Sequence, residues 1–381
     1  MSIYLDSAAT TRPKKEVIDA IIPYLTNRWC NPSSLYQASV KVKKEVENAR
    51  KVIADFINAN SSEIYFTSSG SESNSWVIQG FVNQCKSNNE DYAIITSTIE
   101  HKSILACMEE MDYKRGYIHV DNKGFLMIDM LESFLKMYSS ENKKTLVSIQ
   151  FANNEIGTIQ HIKEIAKLVH KYNAIFHTDA VQAFGQVNID VVDLGIDVLS
   201  ASGHKIGCPK GIGVLYKNKN VNIKPLIYGT QMNSMRGGTE NVPYIMGMAK
   251  AVQICKENLG IKNKHILDLR NYMISELIKR FNCKLNGDDE YRLSNNINVT
   301  FPQNVTGESL IYMLDTSDIQ ISSGSACNSR LNVPSFVLRA IGLSDEEIMR
   351  TVRISLSDEI TKEQIDYVIN EIEKSIKILE V

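Results

Sequence analysis

Residues 322–330 read SSGSACNSR, which sets a cysteine among serines, a glycine, an alanine and an asparagine. Cysteine is among the most often buried side chains. Cys107, within ILACM, keeps the apolar company of a core thiol, whereas Cys327 does not. The local sequence therefore places Cys327 on a mobile, solvent-reachable loop, either as an idle surface thiol or as a nucleophile. Seven cysteines stand at 30, 85, 107, 208, 255, 283 and 327, scattered and without a C-x-x-C pair. That spacing argues against a disulfide framework and a structural zinc site, so no metal is expected and the thiols suit a reducing compartment.

A second group of reactive residues follows a series of short β-rich runs: Ser68–Ser73, Glu100–His101, Asn153–Glu155, Asp179–Gln182 and Ser202–Lys205. The SSGSES turn at 68–73 leads into a helical pattern, where free backbone N–H groups and the helix dipole attract an anion. Ser and Gly are equally favoured as ordinary N-caps, and the run has neither G-x-G-x-x-G nor G-x-x-x-x-G-K-[ST]. Asp179 ends NAIFHTD and could accept a hydrogen bond from a protonated ring nitrogen, or simply cap a helix. Lys205 leaves another strand beside Ser202 and His204. A lysine in a partly desolvated pocket loses proton affinity and becomes a nucleophile for aldehydes. His101 could stack on a flat cofactor and work as acid or base, or be a helix N-terminal residue without a task. A phosphate cradle, a carboxylate for a ring nitrogen and a lysine at successive strand ends are together what pyridoxal 5′-phosphate asks of a protein. That cofactor is the leading reading.

The elements that must position these groups follow from periodicity. Between about residues 60 and 220, SEIYFT, DYAIITST, TLVSIQF, NAIFHTD and DVLSASGHK alternate with helical patterns. Such alternation means βαβ units and a mostly parallel sheet, with ligand sites at the carboxyl ends of the strands. After about residue 245 a long helical pattern runs from MGMAKAVQICKENLGI to LRNYMISELIKRF. NNINVTF and DIQISS then read as strands; GESLIYML, 334–341 and KEQIDYVINEIEKSIKIL read as helices, the last opened by Thr361 with Gln364 three residues on. The expected division is a large α/β domain over 15–250 and a smaller α+β domain over 1–14 and 251–381. With 42 basic against 44 acidic residues, the formal net charge of -2 calls for neither nucleic acid nor a membrane surface. MSIYLDSAATTRP has no signal-peptide pattern and no apolar run approaches the roughly 18 residues of a span, so a cytoplasmic protein is expected.

Taken in order, YLDSAATTRP, NPSSLY, FTSSGSESN, EHKSIL, NNEIG, DAVQ, SGHKIGCPKGIGVLY, RGGTEN, SSGSACNS and VRISLS resemble the NifS/IscS-like cysteine desulfurases over nearly the whole chain. These are fold-type I, class V aminotransferase enzymes that use pyridoxal 5′-phosphate. The resemblance implies a large domain with a mostly parallel, seven-stranded type of sheet and a smaller α+β domain. It makes Lys205 the Schiff-base lysine, Asp179 the partner of the pyridine nitrogen and His101 the residue stacked on the ring. Gln182 and Asn154 would contact the ring oxygen. Gly70, Ser71, Ser202 and His204 would hold the phosphate, with Thr239 reaching across from a second subunit of a homodimer. Arg353 would grip the substrate carboxylate, alongside Asn154, as a bidentate guanidinium can. Cys327 would take sulfur from L-cysteine as a persulfide, leave L-alanine, and pass the sulfur to an acceptor protein in iron–sulfur cluster assembly or another thiolation pathway. A loop of small polar residues suits such delivery.

Several positions depart from the family pattern. Tyr36 and Ser39 replace a frequent His and Gly, Met232 replaces an acid before RGGT, and SLSDE (355–359) replaces S-L-G-R. None is a residue assigned to the cofactor, so these changes bear on the substrate mouth and subunit contact. Cys208, three residues after Lys205, is read as structural, with a redox role as the alternative. The rivals are another enzyme on the same scaffold, such as an aminotransferase or selenocysteine lyase, and a binding protein that has kept the cofactor.

Overall fold

Short apolar runs punctuated by Ser, Gly and Asn turns fold into a seven-stranded sheet in the computed structural model, which describes residues 2–110, 113–302, 305–323 and 334–379. From edge to edge the strands are Ile64–Thr67, Gly213–Lys217, Val198–Ser202, Ile175–Asp179, Lys144–Ser148, Tyr92–Ser97 and Lys114–Ile118. Gly213–Lys217 runs antiparallel to both neighbours, and every other pairing is parallel. All strands except Gly213–Lys217 therefore point the same way. Thr67, Ser97, Ser148, Asp179 and Ser202 end on one edge. Lys114–Ile118 escapes the apolar pattern because it is an edge strand, paired on one side only, and starts with the polar Lys114 and Arg115.

Successive side chains of a strand face opposite sides of its sheet. Ile95, Val147 and Leu199 join one core with the helices Lys15–Thr26, Gln37–Phe56 and Ile162–Lys171. Their neighbours Ile94, Leu146 and Val198 pack against Trp76, Phe81 and Ile104 of the helices Gly70–Asn88 and Lys102–Glu109. A sheet covered on both faces has continuous apolar strands, which is why these runs are legible. Each fully buried side chain of this kind contributes roughly 1.5–3 kcal/mol, so the strand ends are held by rigid packing.

A separate core gathers Ile3, Leu5 and apolar residues from Ile266 to Ile376. It lies on an antiparallel sheet ordered Ser322–Ser323, Thr351–Ser355, Asn296–Thr300, Lys284–Leu285. One 40-residue helix, Val242–Phe281, joins the two cores. Its first part places Ile245, Met248 and Val252 in the large core, and its last places Met273, Leu277 and Phe281 in the other. The pattern change near residue 250 thus falls inside a continuous helix of about 60 Å. The expected cap of the final helix, Lys362–Leu379, is formed reciprocally: Thr361 N–H donates to Gln364 Oε1 and Gln364 N–H to Thr361 Oγ1. Among the described residues no helix is long and apolar enough to cross a membrane.

Candidate active site

At the common edge of the parallel strands lies a cavity of about 300 Å³. Gly70, Ser71, His101, Asn154, Asp179, Gln182, Ser202, His204, Lys205 and Arg353 all line it. Two residues singled out in the sequence are not among them. Thr239 is exposed and does not line the cavity of its own chain; Cys327 lies outside the described residues.

Local folding explains each position. The helix Gly70–Asn88 starts where Ser69 Oγ accepts the N–H of Glu72. A Cβ at Gly70 would sit 2.5 Å from Val181 Cγ2, so only glycine lets the helix end approach the turn after Ile175–Asp179 this closely. Opposite this end, Ser202 Oγ is buried without a partner. A buried hydroxyl without a partner beside free helix N–H groups matches a phosphate-sized anion in both charge and donors. His204 is held by Thr10 Oγ1 at 3.2 Å. Burial, and then the charges of Lys205 and Lys210, push its imidazole down to about 4, so it is neutral at pH 7.

Asp179 closes its strand, 6 % exposed. Its Oδ1 accepts the Val181 N–H and its Oδ2 accepts Asn74 Nδ2 at 2.7 Å. Asn74 also donates to Ser103 Oγ at 2.9 Å, and Ser103 bonds to His101 Nδ1 through both its hydroxyl (2.8 Å) and its backbone N–H (3.1 Å). A backbone N–H can only donate, so His101 Nδ1 carries no proton and Nε2 does. Asn74 and Ser103 thus lock Asp179 and His101 in one hydrogen-bonded chain, a role the sequence reading did not assign. The available signal was helical spacing, because Asn74 lies four residues beyond Gly70 on the same face.

Lys205 stands in the turn after Ser202, and its Nζ donates to the carbonyls of Ala8 (2.5 Å) and Ala9 (2.8 Å). Gln182 Nε2 donates to the same Ala8 carbonyl. Arg353 comes from the strand Thr351–Ser355 of the smaller sheet. Its Nη1 donates to the Asn154 carbonyl at 3.1 Å and its Nη2 to Asp6 Oδ1 at 2.6 Å. Two carboxyls lie deeper. Glu100, wholly buried, accepts from Ser97 Oγ and the Gln150 N–H, and burial pushes it up to about 8, with Asp179 adding to the rise. Glu155 accepts from Ser335 Oγ at 2.5 Å, and burial pushes it up to about 7 against the pull of Arg353.

The departures also have places. Tyr36 is exposed, and Ser39 is fully buried. Met232 stands with Asn233 and Ser234 in three consecutive left-handed conformations, a rare strain for residues with a Cβ. Asp358 pairs with Lys14 at 2.5 Å. Cys208 is fully buried, and desolvation pushes its thiol up to about 12, which disfavours the thiolate that redox chemistry needs. Among the described residues no cluster of His, Cys, Asp and Glu could hold a metal ion.

Comparison with known proteins agrees with this layout. The aminotransferase class-V family matches residues 3–368. A cysteine desulfurase IscS of Methanosarcina thermophila is 44% identical, covering 97% of this chain and 90% of the relative. A solved NifS-like protein superposes with a TM-score of 0.91 at 33% identity, over 99% of this chain and 100% of its own. A structure of SspA in complex with cysteine gives 0.81 at 34% identity, over 93% and 99% of the two chains. By extent of match and by arrangement, the chain belongs to the class-V aminotransferase family, among its cysteine desulfurases.

Proposed function

We propose that this protein removes sulfur from L-cysteine, yielding L-alanine and a persulfide on Cys327, with pyridoxal 5′-phosphate as its cofactor. The observation that carries the reading is the meeting, in one cavity, of Lys205, Asp179, His101 and the helix end at Gly70 with Arg353 from the other sheet. The phosphate would lie against Gly70, Ser71, Ser202 and His204, its aldehyde at Lys205 and its ring nitrogen at Asp179. When bound, the cofactor supplies an aldehyde for the amino group and an electron-withdrawing ring that labilises bonds near the substrate's α-carbon.

The side chains divide the remaining work. Asp179 stays an acceptor, fixed by Asn74, and so favours a protonated ring nitrogen. His101, with its proton on Nε2, is a flat neighbour that can donate or return a proton there. Gln182 and Asn154 orient the ring oxygen, and Asn154 also bounds the substrate side. Arg353 binds the substrate carboxylate. The Cys327 thiolate attacks the sulfur of L-cysteine; the S–S bond forms as the C–S bond breaks, and the carbon takes up a proton to become L-alanine. The large unit over 15–250 would hold the cofactor, while the unit of 1–14 and 251–381 would carry Cys327 and Arg353. Exposure of Thr239 suits a homodimer in which it completes the partner's phosphate site. An acceptor protein would then take the sulfur.

The test is incubation of purified protein with L-cysteine without reductant, followed by intact mass and an alanine assay. One added sulfur mapping to Cys327, with alanine formed and both lost in Cys327→Ala, is the expected result. Alanine without sulfur on Cys327, or neither product from cofactor-loaded protein, would overturn the reading.

A further inference from the structure

Arg353 lines the cavity, yet the residue is only 1 % exposed and its guanidinium is already engaged. Nη1 is taken by the Asn154 carbonyl and Nη2 by Asp6 Oδ1, while Nε is buried without an acceptor. Nε–H and a second hydrogen on each Nη remain, but the Asp6 carboxylate already neutralises the cation at 2.6 Å, so a carboxylate arriving in the cavity competes with it for the charge of Arg353. The Asn154 carbonyl is backbone in a turn held by the neighbouring N–H groups of Glu155 and Ile156, which both donate to Asn153 Oδ1. Asp6 is different. Its backbone is pinned, because Ser7 N–H donates to Ser355 O, Ser355 N–H to Leu5 O and Ala8 N–H to Ser355 Oγ. Its carboxylate, however, is a side chain, 19% exposed, and is not fixed by the backbone bonds around it.

We propose that Asp6 is a specificity-determining residue, a resting counter-ion whose carboxylate holds the place on Arg353 that the carboxylate of an amino-acid substrate takes. This rests on the reading of Arg353 as the substrate's anchor. A buried guanidinium without a counter-charge is strongly unfavourable, so an empty site needs Asp6. With substrate present, two carboxylates compete for one cation, and the exchange leaves the total charge at Arg353 unchanged. Ligands with an amine but no carboxylate cannot displace Asp6. The pair therefore screens for α-carboxylates as well as binding them.

The experiment titrates cofactor-loaded protein with L-alanine and, separately, ethylamine, using calorimetry and cofactor absorbance. Asp6→Asn keeps an oxygen acceptor for Arg353 but removes the competing charge. It should bind L-alanine roughly five- to twenty-fold more tightly than wild type, as expected from removing one like charge at contact distance in a partly screened site. Its ethylamine affinity should be unchanged, and KM for L-cysteine should fall without a rise in kcat. Asp6→Glu, which keeps the charge, should not tighten L-alanine, and thermal unfolding checks that all three proteins are folded. Unchanged or weaker L-alanine binding by Asp6→Asn would reduce Asp6 to an orienting group. Equal tightening by Asp6→Glu would remove charge as the cause. Either result overturns the proposal while leaving Arg353 as the anchor. Loss of wild-type L-alanine binding specificity, with Arg353→Ala binding L-alanine as wild type does, would overturn both.

Discussion

The cavity has two walls built on different principles. The wall of Asp179, Ser202, Lys205 and His101 hangs from the ends of one sheet, whose strands are apolar on both faces and locked between two helical layers. The wall of Arg353 and Asn154 is assembled from a strand of the second sheet and a turn of the first, with Asp6 of the N-terminal segment bonded to Arg353. The first is rigid because its residues share one packed frame. The second depends on hydrogen bonds between pieces of chain far apart in sequence, so its contacts can exchange without disturbing a core. A cofactor that stays in place suits the first kind of wall, and a substrate that comes and goes suits the second.

The largest test of this contrast is Lys205→Ala. It should lower alanine formation by a factor on the order of 10³ or more, with little change in thermal unfolding, because Lys205 lies in the turn beyond the packed strand. Loss of folding would show the frame to depend on the site. Arg353→Lys comes next. A lysine cannot serve both the Asn154 carbonyl and a carboxylate with the planar fork that Arg353 uses. A loss of about a hundred-fold in kcat/KM for L-cysteine is expected, carried by KM and with cofactor binding intact. A comparable loss of cofactor would show that the two walls are not independent.

The same contrast decides what was readable. The first wall could be read residue by residue, because parallel strands announce themselves as apolar runs and their carboxyl ends are the next polar letters. Asp179, Lys205 and His101 needed no knowledge of contacts. Asn74 and Ser103 were less visible, since each looks like an ordinary polar residue near a helix start, and only the Asp179–Asn74–Ser103–His101 chain gives them meaning. The second wall was invisible to periodicity. Arg353 came from the resemblance of VRISLS to a family pattern. Asp6 lies in YLDSAATTRP, but nothing in the sequence gives it a role, because its partner lies 347 positions away.

A smaller effect separates the packed frame from the reaction. Glu100 is wholly buried behind the strand ends, with Oε2 unpartnered, and burial lifts it to about 8 from an ordinary 4.5. The folded state holds this proton more tightly than the unfolded chain, so the stability linked to it is complete below about pH 4.5 and is lost as pH rises through 8. Glu100→Gln keeps the shape without the proton. Relative to wild type it should gain about 2 kcal/mol between pH 5 and 7 in denaturant unfolding, with sulfur loading unchanged. A difference that stays flat with pH would mean that Glu100 is ionised in the folded protein.

The smallest effect comes from the second thiol near the cavity. Cys208 stands three residues after Lys205, but its N–H donates to the Gly203 carbonyl, it belongs to the same packed core as Ile212 and Met248, and burial disfavours its thiolate. A thiol works as a nucleophile only as the thiolate, so distance along the chain from Lys205 counts for nothing here. Cys208→Ala should cost roughly 1 kcal/mol of stability, the scale of removing one heavy atom from a core, and leave one sulfur per chain on Cys327 after exposure to L-cysteine. A drop in that sulfur would place Cys208 on the transfer route and would mean that the frame opens during turnover, which would erase the difference between the two walls.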